Sequence, residues 1–178
     1  MRILLPAALL MSIIFFSCSL FVKNNYPLLE VVSSVDIERY AGKWYEIASL
    51  PVSQQKGCYC TTAEYSIIDS TTIKVVNKCR KGSIEGEYDE AEGKAFVVEG
   101  SNNAKLRVQF FWPFRGDYWI IDLDKDYQYA VVGVPSRKYF WILSRSPKMD
   151  SEMLNSLLAK VKEKGFDISK AQQTVQCE

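Results

Sequence analysis

Eight stretches of β-forming residues follow one another through the middle of the chain, at 44–50, 59–68, 73–78, 92–98, 104–111, 118–123, 127–134 and 138–144. Turn residues end each one: Pro51, the run Asp69-Ser70-Thr71-Thr72, Trp112-Pro113-Phe114-Arg115-Gly116, Asp124-Lys125-Asp126 and Pro135-Ser136-Arg137 among them. The fifth is the clearest. Ala104, Leu106, Val108 and Phe110 alternate with Lys105, Arg107 and Gln109, which gives a strand one dry face and one wet face. Connections this short join antiparallel neighbours. A meander of eight strands leaves two open edges, and closing it into a barrel hides both. The expected fold is therefore all-β, an eight-stranded antiparallel up-and-down barrel. A barrel of this size is either packed solid or holds one small ligand.

One helix is expected outside the barrel. Asp150 is its cap, and Met153, Leu154, Leu157, Leu158 and Val161 form an apolar stripe. Lys160, Lys162 and Lys164 suit its C-terminal end, and Gly165 stops it.

Composition narrows the chemistry. The chain has no histidine, which removes Ser-His-Asp and Cys-His catalysis, histidine-containing zinc sites and His-ligated haem. Lys and Arg total 22 against 21 Asp and Glu, so no basic excess exists to grip a phosphate backbone, and no nucleic-acid partner is expected. The cysteines lack paired chelating spacings, so no metal site is expected, and no cofactor either.

Residues 3–16 are almost wholly apolar behind Met1-Arg2, too short a run to span a bilayer, which takes roughly 20 residues, but suited to an export signal. Phe15-Phe16-Ser17-Cys18 resembles the lipobox of bacterial lipoproteins, with Ser17 fitting well and Phe15 an atypical occupant. That resemblance implies cleavage before Cys18 and its acylation by lipid of the palmitate type; ordinary cleavage near Ser17 is the alternative. Five cysteines are an odd number for an exported chain, and assigning Cys18 to lipid leaves four that can pair. The expected organisation is a signal at 1–17, a lipidated tether at 18–34 and one domain at 35–178.

The stretch Gly42-Lys43-Trp44-Tyr45 and the later Trp141-Ile142-Leu143-Ser144-Arg145 resemble the two ends of a lipocalin barrel, the Gly-x-Trp signature and the arginine after the last strand. Ala63-Glu64-Tyr65-Ser66, Val75-Val76-Asn77, Gly93-Lys94-Ala95 and Phe110-Phe111-Trp112-Pro113-Phe114 extend the resemblance from Val35 to the C-terminus, toward the bacterial outer-membrane lipocalins and apolipoprotein D. Between the sixth and seventh strands only Asp126-Tyr127 of the family's Thr-Asp-Tyr is present. Gly42, Trp44 and Arg145 are read as structural: a guanidinium over an indole, worth about 0.5–2 kcal/mol, staples the barrel where its first and last strands meet.

The resemblance implies several things about the site. Alternation turns Leu106, Val108 and Phe110 inward, and similarity to retinol-binding lipocalins adds Ala63, Tyr65, Ile73, Val75, Asn77, Tyr118, Ile120, Tyr139 and Trp141. Apolar walls with few polar groups suit an acyl chain, and similar bacterial proteins bind fatty acids or lysophospholipids. Lys56, Arg115, Arg137 and Lys138 are candidate contacts for an anionic headgroup. Similarity to apolipoprotein D implies Cys60–Cys177 with Cys58–Cys79; the alternative is Cys60–Cys79 with Cys58–Cys177. The shared parity of Cys79 with Val75 and Asn77 calls for a bulge near Lys78. Ser19 after Cys18 directs the expectation to the outer membrane, facing the periplasm, as a monomer or weak dimer.

Two other functions compete. A few lipocalins are enzymes, but Glu46 and Asp122 form no recognisable acid/base pair, and catalysis is not expected. The other alternative is a solid-cored structural or interaction module.

Overall fold

The computed structural model describes residues 26–177. The expected signal and Cys18 lie outside the described residues. A short helix α1 (Ile37–Tyr40) precedes eight strands: β1 (Gly42–Ser49), β2 (Cys58–Ile67), β3 (Thr72–Lys81), β4 (Tyr88–Val97), β5 (Lys105–Phe111), β6 (Phe114–Leu123), β7 (Tyr129–Gly133) and β8 (Phe140–Ser144). Helix α2 (Ser151–Glu163) and a two-residue strand β9 (Gln172–Gln173) follow. Each of the strands β1 to β8 pairs antiparallel with its sequence neighbours, and β8 returns to β1, so the sheet closes into a barrel.

Two strands start four residues earlier than the residue pattern suggests. β4 begins at Tyr88, in a stretch that reads as a charged loop. Its charges are partners across the ladder: Lys74–Glu92 at 2.8 Å, Lys78–Glu90 at 3.5 Å and Lys81–Asp89 at 3.1 Å. β6 begins at Phe114, so the connection from β5 is only Trp112-Pro113.

The strand ends define two ends of the barrel. The connections 68–71, 98–104 and 124–128 lie at one end, with α1 across it. Asp36 caps α1 by accepting from the Glu38 and Arg39 amides. The connections 50–57, 82–87, 112–113 and 134–139 lie at the other end, which is the mouth.

The barrel wall separates two cores. Inward residues, including Trp44, Tyr65, Ile73, Val75, Leu106, Ile120 and Leu143, pack with Tyr40 of α1. Outward residues of β1, β6, β7 and β8 pack beneath α2 with Leu154, Leu157, Val161 and Phe166. Met153 and Leu158 flank the centre of the helical stripe by about 70° on either side at 100° per residue, and Met153 is exposed. Asp150 caps α2 through the Glu152 and Met153 amides.

Part of the expected tether belongs to the domain. Leu29 is buried, and the Val32 amide donates to the Ile120 carbonyl at 3.0 Å.

The C-terminal tail completes the wall. β1 and β2 pair only through Gly42–Tyr45, and toward the mouth they diverge. Into that gap runs the tail: β9 pairs with Ala48 and Ser49, and the Cys60 amide donates to the Val175 carbonyl at 2.7 Å. The Gln176 amide then bridges the Glu46 and Thr61 carbonyls. Disulfides link Cys60–Cys177 and Cys58–Cys79, with Cα separations of 5.1 and 5.4 Å.

The bulge expected near Lys78 lies beside it in the β2–β3 ladder, with the extra residue in β2. The β2–β3 register shifts between Tyr59 and Thr62, and Cys60 has φ +54°, while β3 pairs with β4 without interruption. Cys79 therefore keeps the inward parity of Val75 and Asn77, and the extra residue in β2 brings Cys58 to the same side.

Candidate ligand site inside the barrel

The closed end is built around Arg145. Its guanidinium carbon lies 3.8 Å from the centre of the Trp44 ring. Its nitrogens donate to the carbonyls of Arg39, Tyr40, Ala41, Lys43 and Tyr127 at 2.7–3.3 Å. Trp44 donates its indole N–H to the Tyr40 carbonyl at 2.8 Å. Burial lowers the pKa of the guanidinium from its ordinary value. Gly42 has φ +91°, a backbone conformation that glycine adopts without strain.

Above this plug sit three phenols. Tyr118 Oη lies 2.7 Å from both Tyr40 Oη and Tyr65 Oη. Three hydroxyls carry three protons, and two contacts consume two of them. One donor in the cluster is therefore free to meet an acceptor. Burial pushes the pKa of Tyr65 up to about 12, and those of Tyr40 and Tyr118 well above the ordinary phenol value.

Of the twelve expected lining residues, ten join the inner core: Ala63, Tyr65, Ile73, Val75, Leu106, Val108, Phe110, Tyr118, Ile120 and Trp141. Asn77 stands opposite Ala63 and shares its face. Tyr139 does not belong with them. It lies in the β7–β8 connection before β8 begins, is 38% exposed, and stacks loosely on Trp141 from the rim.

The lining changes character along the axis. Tyr65, Ile73, Val75, Leu106 and Ile120 are buried and fill the lower half. Ala63, Asn77, Val108, Phe110 and Trp141 face inward from a closed wall and yet remain partly exposed, and Ala91 opposite Asn77 is exposed. The upper lumen is thus reached from the mouth. Phe110 packs over Gly93, where a Cβ would come within 2.8 Å of its ring. Two clefts, of about 390 and 340 Å³, lie on the outer surface and do not open into the barrel.

The mouth carries polar groups beyond the expected lining. Glu46 is turned inward, opposite Leu143, and buried. Its carboxylate accepts from Ser49 Oγ at 2.9 Å, Thr174 Oγ1 at 2.8 Å and Gln55 Nε2 at 2.7 Å. Gln55 sits in a 3₁₀ turn of the β1–β2 loop and also accepts from the Trp141 indole at 3.3 Å. One side chain thus latches that loop to both β1 and β8. Of the candidate headgroup cations, Arg137 is buried and committed to the carbonyls of Pro27, Pro135 and Lys164. Arg115 lies over Phe96 on the outer wall. Lys56 and Lys138 are exposed in mouth loops.

Comparison with known proteins agrees with this architecture. The model of the lipocalin-like domain matches residues 35–176. Temperature-induced lipocalin-1 of Arabidopsis thaliana is 42% identical over 83% of each chain. An outer membrane lipoprotein, Blc, of Escherichia coli K12 is 41% identical over 79% of this chain and 78% of its own. Apolipoprotein D of Rattus norvegicus is 35% identical over 84% and 82%. Among solved structures, insecticyanin of Manduca sexta superposes with a TM-score of 0.67 at 25% identity, covering 85% of this chain and 86% of that one. With the barrel, the Trp44–Arg145 plug and these relatives together, the chain belongs to the lipocalin family.

Proposed function

We propose that this lipocalin binds one acyl-chain ligand, a fatty acid or lysophospholipid, in its upper lumen. In this reading it is lipid-anchored through Cys18 to a bacterial outer membrane, facing the periplasm, as a monomer or weak dimer. It binds and carries its ligand and does not transform it. The observation that carries the proposal is the set of inward residues from five strands that remain partly exposed above a filled lower core: Ala63, Asn77, Val108, Phe110, Trp141 and, exposed, Ala91. Burial of each methylene is worth about 0.8 kcal/mol, so an acyl chain binds there without a dedicated charge. The outer-membrane relatives support the location.

Val108→Trp fills the lumen, whereas Arg107→Trp places the same ring on the exposed outer face of β5. Titration with a fluorescent fatty acid is expected to show loss of binding only in the first. Equal affinity in both folded variants would place the ligand outside the barrel.

A further inference from the structure

The lumen holds hydrogen-bonding groups that the fold itself does not satisfy. In the tyrosine cluster, Tyr118 Oη touches Tyr40 Oη and Tyr65 Oη at 2.7 Å, and among the described residues these hydroxyls have no other hydrogen-bond partner. Three protons serve two contacts, so one O–H is left without an acceptor. Burial decides where it sits. Tyr40 and Tyr65 are 1% and 4% exposed, whereas Tyr118, turned inward on β6 opposite the buried Leu106, is partly exposed. When Tyr40 and Tyr65 both donate to Tyr118, the unshared proton belongs to the ring that the lumen reaches. Either other arrangement strands it on a buried ring, which costs more.

Asn77 adds a second such group. Val75 stands opposite Tyr65, and Asn77 lies two residues nearer the mouth, opposite Ala63. It is partly exposed, and its carboxamide makes no hydrogen bond among the described residues. Tyr118 and Asn77 thus mark the level where the filled lower half gives way to the open upper lumen. Four residues of β6 separate Tyr118 from Phe114 at the rim, about 13 Å along the strand and about 10 Å along the axis of a barrel with ordinary strand tilt. A long acyl chain with its carboxylate at the mouth therefore brings its middle to Tyr118.

The group that fits this level is an uncharged oxygen. A carboxylate here would be buried with no cation among the described inward residues, and it would share the lumen with Glu46. A carbonyl or hydroxyl oxygen accepts the free proton without that cost, and a hydroxyl has a proton of its own to donate to the Asn77 carboxamide. A plain methylene chain leaves the donor dry and unmade, which is how a polar group in an apolar pocket selects between ligands.

We propose that Tyr118 sets the ligand class: the lumen prefers an acyl chain that carries a ketone or hydroxyl part-way along its length, the oxygen accepting the Tyr118 proton beside Asn77. This rests on the reading of the upper lumen as the acyl-chain site and narrows that site from unmodified chains to chains oxygenated near the middle.

The protein is titrated, by displacement of a fluorescent fatty acid, with octadecanoic acid and with its oxo derivatives bearing the ketone at carbon six, eight, ten or twelve. At least one oxo acid is expected to bind more tightly than the parent. Tyr118→Phe is expected to lower that preference roughly fivefold to tenfold, the worth of one neutral hydrogen bond, and to leave the parent acid unchanged. Tyr65→Phe is the control: two hydroxyls and one contact still leave one proton unshared, so the preference stays. The infrared stretch of an isotope-labelled ketone is expected to shift to lower frequency in wild type and Tyr65→Phe but not in Tyr118→Phe, a signature that packing by the Tyr118 ring does not produce. Should Tyr118→Phe fail to fold by circular dichroism, an unshifted ketone in the other two proteins overturns the proposal on its own. An equal preference in all three proteins overturns it as well. So does a preference lost in Asn77→Leu and kept in Tyr118→Phe, which assigns the oxygen to the carboxamide. Octadecanoic acid bound by wild type but not by Val108→Trp, with no oxo acid preferred, overturns the proposal and leaves the lumen reading standing. Octadecanoic acid bound equally by both removes the two together.

Discussion

The guanidinium of Arg145 lies over the indole of Trp44, its carbon 3.8 Å from the ring centre, and at the same time ties five backbone carbonyls of the closed end. A stacked cation contributes about 0.5–2 kcal/mol, and hydrogen bonds from a charged group about 1.5–3 kcal/mol. Arg145→Ala is therefore expected to lower stability by about 3 kcal/mol. Arg145→Lys keeps the charge but loses the planar fork, and is expected to recover less than half of that. Urea unfolding of the three proteins measures both. A variant within 0.5 kcal/mol of wild type, a change of about the size of an ordinary surface substitution, would remove the plug as a source of stability.

Alkaline pH should act on the tyrosine cluster. Burial raises the pKa of Tyr65 to about 12, with Tyr40 and Tyr118 shifted the same way, against 10.0 for an exposed phenol. Protonated phenols are what the folded state retains. Their stability contribution is whole below pH 10 and is lost as pH rises through the folded-state pKa. Each phenol that ionises only on unfolding costs about 1.4 kcal/mol per pH unit in this range. Stability is expected to fall from pH 10 to 12, and more gently in Tyr65→Phe. A pH-independent urea midpoint across that window would contradict this.

The barrel was legible because its signals are local. Alternation in 104–111, turn residues between strands and the capped stripe of α2 each report on a few neighbouring residues, and closure follows from hiding two edges. Ten lining residues followed from alternation and the family resemblance. What escaped was set by pairing across the chain. The charged start of β4 pairs residue by residue with β3, with Lys78 opposite Glu90 and with Lys74 and Lys81 reaching Glu92 and Asp89 diagonally. The bulge at Cys60 depends on a tail more than a hundred residues away. Glu46 and Gln55 carry no periodic signal, and only the folded loop brings them together. Tyr139 has the right parity, but its strand begins one residue later.

The tail is expected to depend on its disulfide. Cys60–Cys177 spans 117 residues and Cys58–Cys79 spans 21. In the chain-entropy model these loops contribute about 5 and 3 kcal/mol. Cys177→Ser should therefore destabilise more than Cys79→Ser, and it alone should speed hydrogen exchange at the Cys60 and Thr174 amides, which the tail pairing protects. Equal protection of those amides in both variants would show that the tail holds its place without the covalent bond.

The loop latch offers a test of ligand exchange. Gln55 donates to the Glu46 carboxylate at 2.7 Å and accepts from Trp141 at 3.3 Å, so removing it releases the loop from both strands. A hydrogen bond to a charged group is worth about 1.5–3 kcal/mol, and each 1.4 kcal/mol is tenfold in a rate. Gln55→Ala is expected to speed fatty-acid dissociation at least about tenfold in stopped flow, with a smaller effect on association. Gln55→Glu sharpens the test. It sets a second carboxylate beside Glu46, and two like charges this close raise the pKa of one of them. At neutral pH the loop is then expected to be driven open and dissociation fast. On acidification one carboxyl regains its proton and can donate to the other, so dissociation slows toward the wild-type rate. Wild type has only the amide and should lack that recovery. Identical dissociation rates in all three proteins at every pH would show that the ligand leaves without moving the loop.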